Sequence, residues 1–212
     1  MSESEQMPSP QGEGGGQSEQ VQMSHVSARV PDHVSRGVFS AGMIIMTGAT
    51  EFVLDFIQNI GRPHQVAARI VMPHPALPQF AEALRKNLVL YRERFGELPQ
   101  LPKIQPPRRP TIQEIYDELK LPDDTLSGAY SNGVMISHSA SEFTFDFLTS
   151  FFPKSAVSSR VFLSAAQVPR ILDSLDGTYK QFQDRVKPRS DGEVKPPEND
   201  SPGPNEPDPN PT

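Results

Sequence analysis

The sequence predicts an α+β fold made of two tandem strand-strand-strand-helix modules, each with an antiparallel sheet, that pair as an intrachain pseudo-dimer. Three observations support this: an internal repeat, a strictly alternating segment in each copy, and a long amphipathic helix at the end of each copy. Residues 38–96 align without a gap with residues 129–187, and identical residues recur along the whole alignment. A solenoid needs at least three repeats to bury its core, so two copies favour a pair of modules.

Each copy begins with three predicted strands. The first strand covers residues 39–46 and, in the second copy, 130–137, and a polar turn follows it. The second strand reads EFVLDF in one copy and EFTFDF in the other, so that Phe and Leu alternate with Glu, Asp and a Val or Thr between them. Because successive side chains of a strand point to opposite faces, one face of each sheet is rich in Phe and the other carries the carboxylates.

The third strand places an arginine on the carboxylate face. Arg69 shares that face with Asp55, and Arg160 shares it with Asp146. With a four-residue loop between the first two strands, Gly42 lies opposite Asp55 and leaves room beside it. We therefore expect Asp55–Arg69, and likewise Asp146–Arg160, to form a cross-strand ion pair.

A helix of about 20 residues, about 30 Å long, ends each copy. Pro78 and Pro169 suit its first turn, where no backbone donor is needed. Apolar residues recur at helical spacing along one face, which is expected to pack on the Phe-rich face of the sheet. They are Leu77, Phe80, Ala81, Leu84, Leu88, Tyr91 and Phe95 in the first copy, and Val168, Ile171, Leu172, Leu175, Tyr179, Phe182 and Val186 in the second.

Composition divides the chain further and excludes several classes of protein. Both ends are poor in apolar residues, which is typical of disordered tails, and the net charge of −6 lies mainly in them. The absence of Cys excludes disulfides and thiolate metal sites, and no apolar run is long enough to span a membrane, so we expect a soluble, cytoplasmic protein. The predicted segments are a disordered N-terminal tail (1–35), the first module (36–96), a Pro-rich linker with a short helix at TIQEIYDELKLP (97–128), the second module (129–187) and a disordered Pro-rich C-terminal tail (188–212).

The segments EFVLDF, ARIVMP and ALRKNLVLYRERFG resemble an uncharacterised family of small bacterial and archaeal proteins, known as a domain of unknown function. Its pattern is an E-F-x-x-D-F strand, an R-V/I-x-x-P segment and a helix ending N-x-x-x-Y-E-x-x-F-G. The likeness covers most of residues 38–96 and is weaker over residues 129–187, where the helix ends TYKQFQDRVK. The family has no assigned activity, so the resemblance implies an architecture and no catalytic residues.

Repeated carboxylates raise the hypothesis of an acid–base pair. Glu51 and Asp55 are about 13 Å apart along one strand, whereas a two-carboxylate hydrolase needs roughly 5 to 9.5 Å. An enzyme that uses Glu51 and Glu142 across an internal two-fold axis remains an alternative. We expect no enzymatic activity and no catalytic residues.

Other site chemistries find little support. The His residues are scattered and show no ligand spacing, so we expect no metal and no cofactor. The first helix carries Arg85, Lys86, Arg92 and Arg94, but its counterpart carries several Asp residues. A nucleic-acid-associated regulatory protein is therefore a second alternative, because a binding domain usually shows a clustered basic footprint.

The face opposite the Phe rows best predicts a function. It mixes Glu51, Asp55, Arg69 and their counterparts Glu142, Asp146 and Arg160 with apolar residues, whereas a fully solvated face is more polar. These six residues are candidates for a structural or interface role. We therefore expect a non-enzymatic protein-interaction or assembly module with a protein partner or self-association, and no membrane contact.

Overall fold

The computed structural model describes residues 28–102, 111–151 and 154–186, and these form the predicted α+β fold with two four-stranded sheets. Most of the predicted tails (1–35 and 188–212) and part of the linker lie outside the described residues. In chain order, the described elements are α1 (Asp32–Ser35), β1 (Val38–Ser40), β2 (Gly42–Thr47), β3 (Glu51–Gln58), β4 (Gln65–Pro73), α2 (Ala76–Phe95), α3 (Ile112–Asp117), α4 (Asp123–Leu126), β5 (Ala129–Tyr130), β6 (Gly133–His138), β7 (Glu142–Phe151), β8 (Lys154–Ser164) and, after a 3-10 turn at Ala165–Gln167, α5 (Val168–Val186).

The two repeats exchange a strand. The first sheet has the order β2-β3-β4-β5 and the second sheet the order β1-β8-β7-β6. Strand β5 of the second repeat pairs in parallel with β4, and β1 of the first repeat pairs in parallel with β8. Each sheet therefore consists of three antiparallel strands from one repeat and a short strand from the other.

This exchange corrects the predicted first strands. Residues 39–46 and 130–137 are not single strands, because each segment breaks at a buried serine, Ser40 or Ser131, and contributes to both sheets. At the first break the Ser40 hydroxyl lies 2.7 Å from the carbonyl oxygen of Gly42 and 3.1 Å from that of Ile57. A short polar side chain thus bonds backbone carbonyls where the chain leaves one sheet and enters the other.

Both repeats share one hydrophobic core. The Phe rows of β3 and β7 are buried in it, and the rings of Phe56 and Phe147 lie 5.5 Å apart. Helix α2 packs on the Phe row of the other repeat, where Phe80 is 5.2 Å from Phe145. Helix α5 packs in the same way on the first repeat. The predicted Phe-rich face is confirmed, and so is the helix stripe except at the last position of each helix, where Phe95 and Val186 are exposed. The pseudo-dimer is held together by helices that cross between repeats.

The first hairpin differs in register from the prediction. Strand β2 extends to Thr47, and the Gly48 N–H donates to the Glu51 carbonyl at 2.8 Å. Ile44, rather than Gly42, therefore lies opposite Asp55. The prediction was wrong by two residues because the strands continue further into the turn, and a two-residue shift leaves every side chain on its predicted face.

The repeat also begins earlier than predicted. Helices α1 and α4 occupy equivalent positions, and Arg29 bridges to Ala156 just as Lys120 bridges to Gln65. Residues 28–35 are thus part of the fold rather than of a tail, and residues 120–128 belong to the second repeat rather than to a linker. The overlooked signal is a shared P-D-x-x-x-x-G pattern at 31–37 and 122–128.

Candidate interface on the outer sheet faces

The predicted ion pair of the first sheet is confirmed. Asp55 on β3 lies opposite Arg69 on β4. Arg69 donates from Nε to Oδ1 at 2.8 Å and from Nη2 to Oδ2 at 2.7 Å, and the side chain of Asp55 is fully buried. The bond to Asp55 raises the pKa of Arg69. Such a bidentate pair, with two parallel hydrogen bonds, is the strongest arrangement of a carboxylate and a guanidinium.

The second sheet repeats this pair with slightly more exposure. Arg160 donates to Asp146 from Nε at 2.6 Å and from Nη2 at 2.8 Å. The bond to Asp146 raises the pKa of Arg160. Four of the six candidate residues are therefore joined in two equivalent ion pairs, one on the outer face of each sheet.

Each arginine also anchors the segment that leads into the exchanged strand. Arg69 Nη1 donates to the Leu126 carbonyl at 3.2 Å, and Arg160 Nη1 donates to the Ser35 carbonyl at 3.3 Å. The next turn passes so close to the arginine stem that a Cβ on Gly128 would lie 2.9 Å from Arg69 Cγ. The recurring Asp thus positions an arginine that holds the other repeat in place.

On the first sheet, Tyr116 joins the ion pair of Asp55 and Arg69. Helix α3 begins with the predicted capping box of Thr111 and Glu114, and it brings Tyr116 over the sheet. Tyr116 Oη donates to Asp55 Oδ2. Burial, and then the bond to Asp55, raises the pKa of Tyr116. The capping box marked the helix in the sequence, but nothing marked Tyr116 as a partner of Asp55.

The other two candidates have local partners. Glu51 accepts a hydrogen bond from Thr50 Oγ1, and Glu142 accepts one from Ser141 Oγ. The bond from Ser141, and then one from Ser139, lowers the pKa of Glu142. Both Glu side chains, at the first positions of β3 and β7, bond to the turn that precedes them, whereas the Asp side chains bond across strands.

Segments of the chain itself cover part of each outer face. On the second sheet, Val34 of α1 packs with Leu148 and Val157. On the first sheet, α3 and α4 reach the pair of Asp55 and Arg69. The rest of the first sheet's outer face carries Glu51 at one end and apolar residues beside it. Its strand register places Met46, Val53, Val71 and Tyr130 side by side across four strands, and we call these four residues the apolar row.

The apolar row is accessible. Met46, Val53 and Val71 are half-buried, and Tyr130 is 43 % exposed. The Tyr130 ring stacks on that of Phe151, at 5.9 Å and 9° between planes, and Phe151 is 62 % exposed. The equivalent row of the second sheet, which we call the mixed row, is half polar and consists of Ser137, Thr144, Phe162 and Phe39.

Two histidines that sequence reasoning left unassigned lie between the repeats. His138 packs between Tyr91 of α2 and Phe143, with ring centroids 5.7 and 5.0 Å away. His74 lies 4.2 Å from Phe182 of α5. One ring nitrogen of each is buried and without a hydrogen-bond partner. Burial, and then the charge of Arg94, lowers the pKa of His138.

Metal-binding clusters and membrane-spanning helices are both absent from the described part of the chain. Among its residues, no cluster of three or more His, Asp and Glu side chains is placed to hold a metal ion. None of its helices combines the length and apolarity that crossing a membrane requires.

Comparison with known proteins gives one result. A family model described as "Protein of unknown function (DUF3467)" matches the chain twice, over residues 3–100 and 103–188. The two matches correspond to the two repeats. Searches of curated proteins and of solved structures found no match.

Proposed function

The chain belongs to the DUF3467 family as a tandem pair of the family's repeat, and we propose that it acts as a protein-interaction module. The observation that carries the proposal is the apolar row of Met46, Val53, Val71 and Tyr130. Contiguous apolar surface of this kind marks interaction sites in soluble proteins.

The row has the features of the centre of a protein interface. Its side chains come from four hydrogen-bonded strands, so a partner meets a surface that is already ordered. The stacked rings of Tyr130 and Phe151 supply aromatic anchors, which are enriched at the centres of interfaces. The neighbouring charges of Asp55 and Arg69 are already paired, so a partner does not have to neutralise them.

Comparison of the two sheets supports the same proposal. The repeats share their Phe rows, their ion pairs and their exchanged strands, but the outer rows differ. Val53 and Met46 of the apolar row correspond to Thr144 and Ser137 of the mixed row. The fold thus accepts polar residues at these positions, and the apolar residues of the first sheet are available for a partner.

Charge variants of the two rows test the proposal. Val53→Glu places a carboxylate in the apolar row, and Thr144→Glu places one at the equivalent position of the mixed row. Wild type and both variants are used as bait in lysate of the native host, with isotope labels to compare captured proteins. Melting curves of the purified variants confirm that both fold.

We expect Val53→Glu to reduce the capture of specific partners about tenfold or more, because a buried unpaired charge is costly. Thr144→Glu is expected to capture them as wild type does. Each captured protein is then purified and titrated against the three baits. Equal binding by the two variants, or no partner above an unrelated control bait, contradicts the proposal.

A further inference from the structure

Two contacts lie on the pseudo-two-fold axis, since each joins a residue to its own equivalent in the other repeat. Phe56 meets Phe147 in the core. Arg85 of α2 meets Asp176 of α5, where Nη2 lies 3.0 Å from each carboxylate oxygen. The first contact joins two identical residues, whereas the second joins opposite charges.

We propose that the Arg85–Asp176 contact makes each repeat bind the other repeat in preference to a second copy of itself. This inference is independent of the apolar row. The surface concerned is the one buried between the repeats, and the partner it fits is the complementary repeat of this chain.

The backbone elements of that surface are alike in the two repeats, since each offers a short strand, a Phe row and a helix that crosses to its partner. Individual side chains differ: the Tyr91 hydroxyl donates to the Ala140 carbonyl at 2.7 Å, and the residue equivalent to Tyr91 is Phe182. Two first repeats that paired in this way would place Arg85 against Arg85. Two second repeats would place Asp176 against Asp176. Both like pairings bring equal charges together, which disfavours them relative to the mixed pairing.

Neighbouring charges make the effect unequal. Arg85 also donates to Glu82 on its own helix at 2.8 Å, and the position equivalent to Glu82 is Asp173. A pair of first repeats would set two Glu82 carboxylates against the two arginines and against the two Lys86 side chains, each of which lies 3.5 Å from Glu82. A pair of second repeats would gather four carboxylates, from Asp173 and Asp176 of each copy. Self-pairing of the second repeat is therefore the more disfavoured.

The pair is half exposed, with 48 % of the Arg85 side chain and 49 % of the Asp176 side chain accessible, so solvent screens it. Exposed ion pairs are worth little, and we expect a preference of about two- to fivefold for each pairing. The preference falls with added salt, because salt screens exposed charges.

Re-pairing of the two repeats tests the inference directly. A protease site is placed within residues 103–110 of the full chain, and the folded protein is cleaved there. The nicked protein is unfolded in urea and refolded at low ionic strength, and native mass spectrometry separates the three pairings by mass. We expect the mixed pair to exceed the share that random association gives.

Two variants attribute that result to the axial contact. In Asp176→Arg every pairing places two arginines on the axis, so the excess of the mixed pair is expected to disappear. In Arg85→Asp with Asp176→Arg the charges are exchanged, and the excess is expected to return. Random pairing by wild type, or an unchanged excess in Asp176→Arg, overturns the inference.

The intact chain gives an independent test that does not depend on refolding of the nicked protein. Asp176→Arg is expected to lower the equilibrium constant for folding about two- to fivefold at low salt, and the exchanged double variant is expected to recover it. In high salt the difference is expected to vanish. A double variant no better than Asp176→Arg alone contradicts the charge-matching inference.

Discussion

The paired Asp and Arg of the second sheet make a quantitative prediction about stability. We consider Asp146→Asn and Arg160→Met, singly and together. The double variant removes both charges, so the departure of its free energy of unfolding from the sum of the single changes measures the coupling between the two side chains.

The structure sets the expected size of this coupling. The two side chains are 13 % and 23 % exposed and share bonds of 2.6 and 2.8 Å. Exposed pairs are worth about 0 to 1 kcal/mol, whereas breaking a buried pair costs about 3 to 5 kcal/mol. We therefore expect the coupling of Asp146 and Arg160 to be near or above about 1 kcal/mol.

The equivalent pair of the first sheet is a matched comparison. Asp55 is fully buried, Arg69 is 15 % exposed, and Tyr116 adds a third member. We expect Asp55→Asn and Arg69→Met to show the larger coupling, because less solvent screens the charges. The exposed axial pair of Arg85 and Asp176 is expected to show the smallest.

Urea unfolding at neutral pH, followed by fluorescence of the Tyr residues and by circular dichroism, measures the coupling in all three pairs. The reasoning is refuted if Asp146 and Arg160 show a coupling indistinguishable from zero, or if the exposed axial pair couples more strongly than both buried pairs. In that event the repeated Asp was retained for another role, and binding of a ligand or partner becomes the first alternative.

Three further predictions concern single positions. Tyr116→Phe removes a hydrogen bond to the buried Asp55 carboxylate, so urea unfolding is expected to show a loss of about 1.5 to 3 kcal/mol, and an unchanged midpoint would contradict this bond. Burial lowers the pKa of His138 in the folded protein. The stability that the neutral form of His138 contributes is therefore present above the unfolded pKa of about 6.5, and it is lost as pH falls through the folded pKa. His138→Phe is expected to lose less stability on acidification than wild type does, as measured by melting curves across that range, and equal losses would rule out this histidine as a source. Gly128 has a φ of 72° and lies against the stem of Arg69, so Gly128→Ala is expected to destabilise the protein by about 1 kcal/mol or more in urea unfolding. Gly42→Ala serves as the control, because a Cβ at Gly42 meets open space. Equal effects of the two substitutions would count against the close approach at Gly128.

The sequence predicted what depends on local pattern. Alternation in EFVLDF and EFTFDF placed the Phe residues on one face and the Asp residues on the other, and strand order placed Arg69 beside Asp55. The helical spacing from Leu77 to Tyr91 identified the buried stripe of α2. Such features follow from the period of a strand or a helix, which the backbone geometry imposes wherever the element packs.

Details at the ends of elements were less predictable. The two-residue shift of the first hairpin satisfies the same alternation as the predicted register, so polarity alone does not distinguish them. The folded segment at 28–35 is short and mostly polar, so it resembles a tail. Its place in the fold depends on contacts far along the chain, such as the bond from Arg160 to Ser35.

The sequence by itself therefore determined that this protein contains two equivalent halves, which faces of their strands and helices are buried, and which charges meet within a half. Only the tertiary structure decided which half covers which. The pattern of α2 alone does not show whether its stripe packs on the Phe row of its own repeat or on that of the other, because the two rows differ only at Leu54 and Phe145. The pairing of β1 with β8, the crossing of α2 and α5, and the axial contact of Arg85 with Asp176 settle that choice, and each depends on residues that are far apart in the chain and meet only when both halves have folded together.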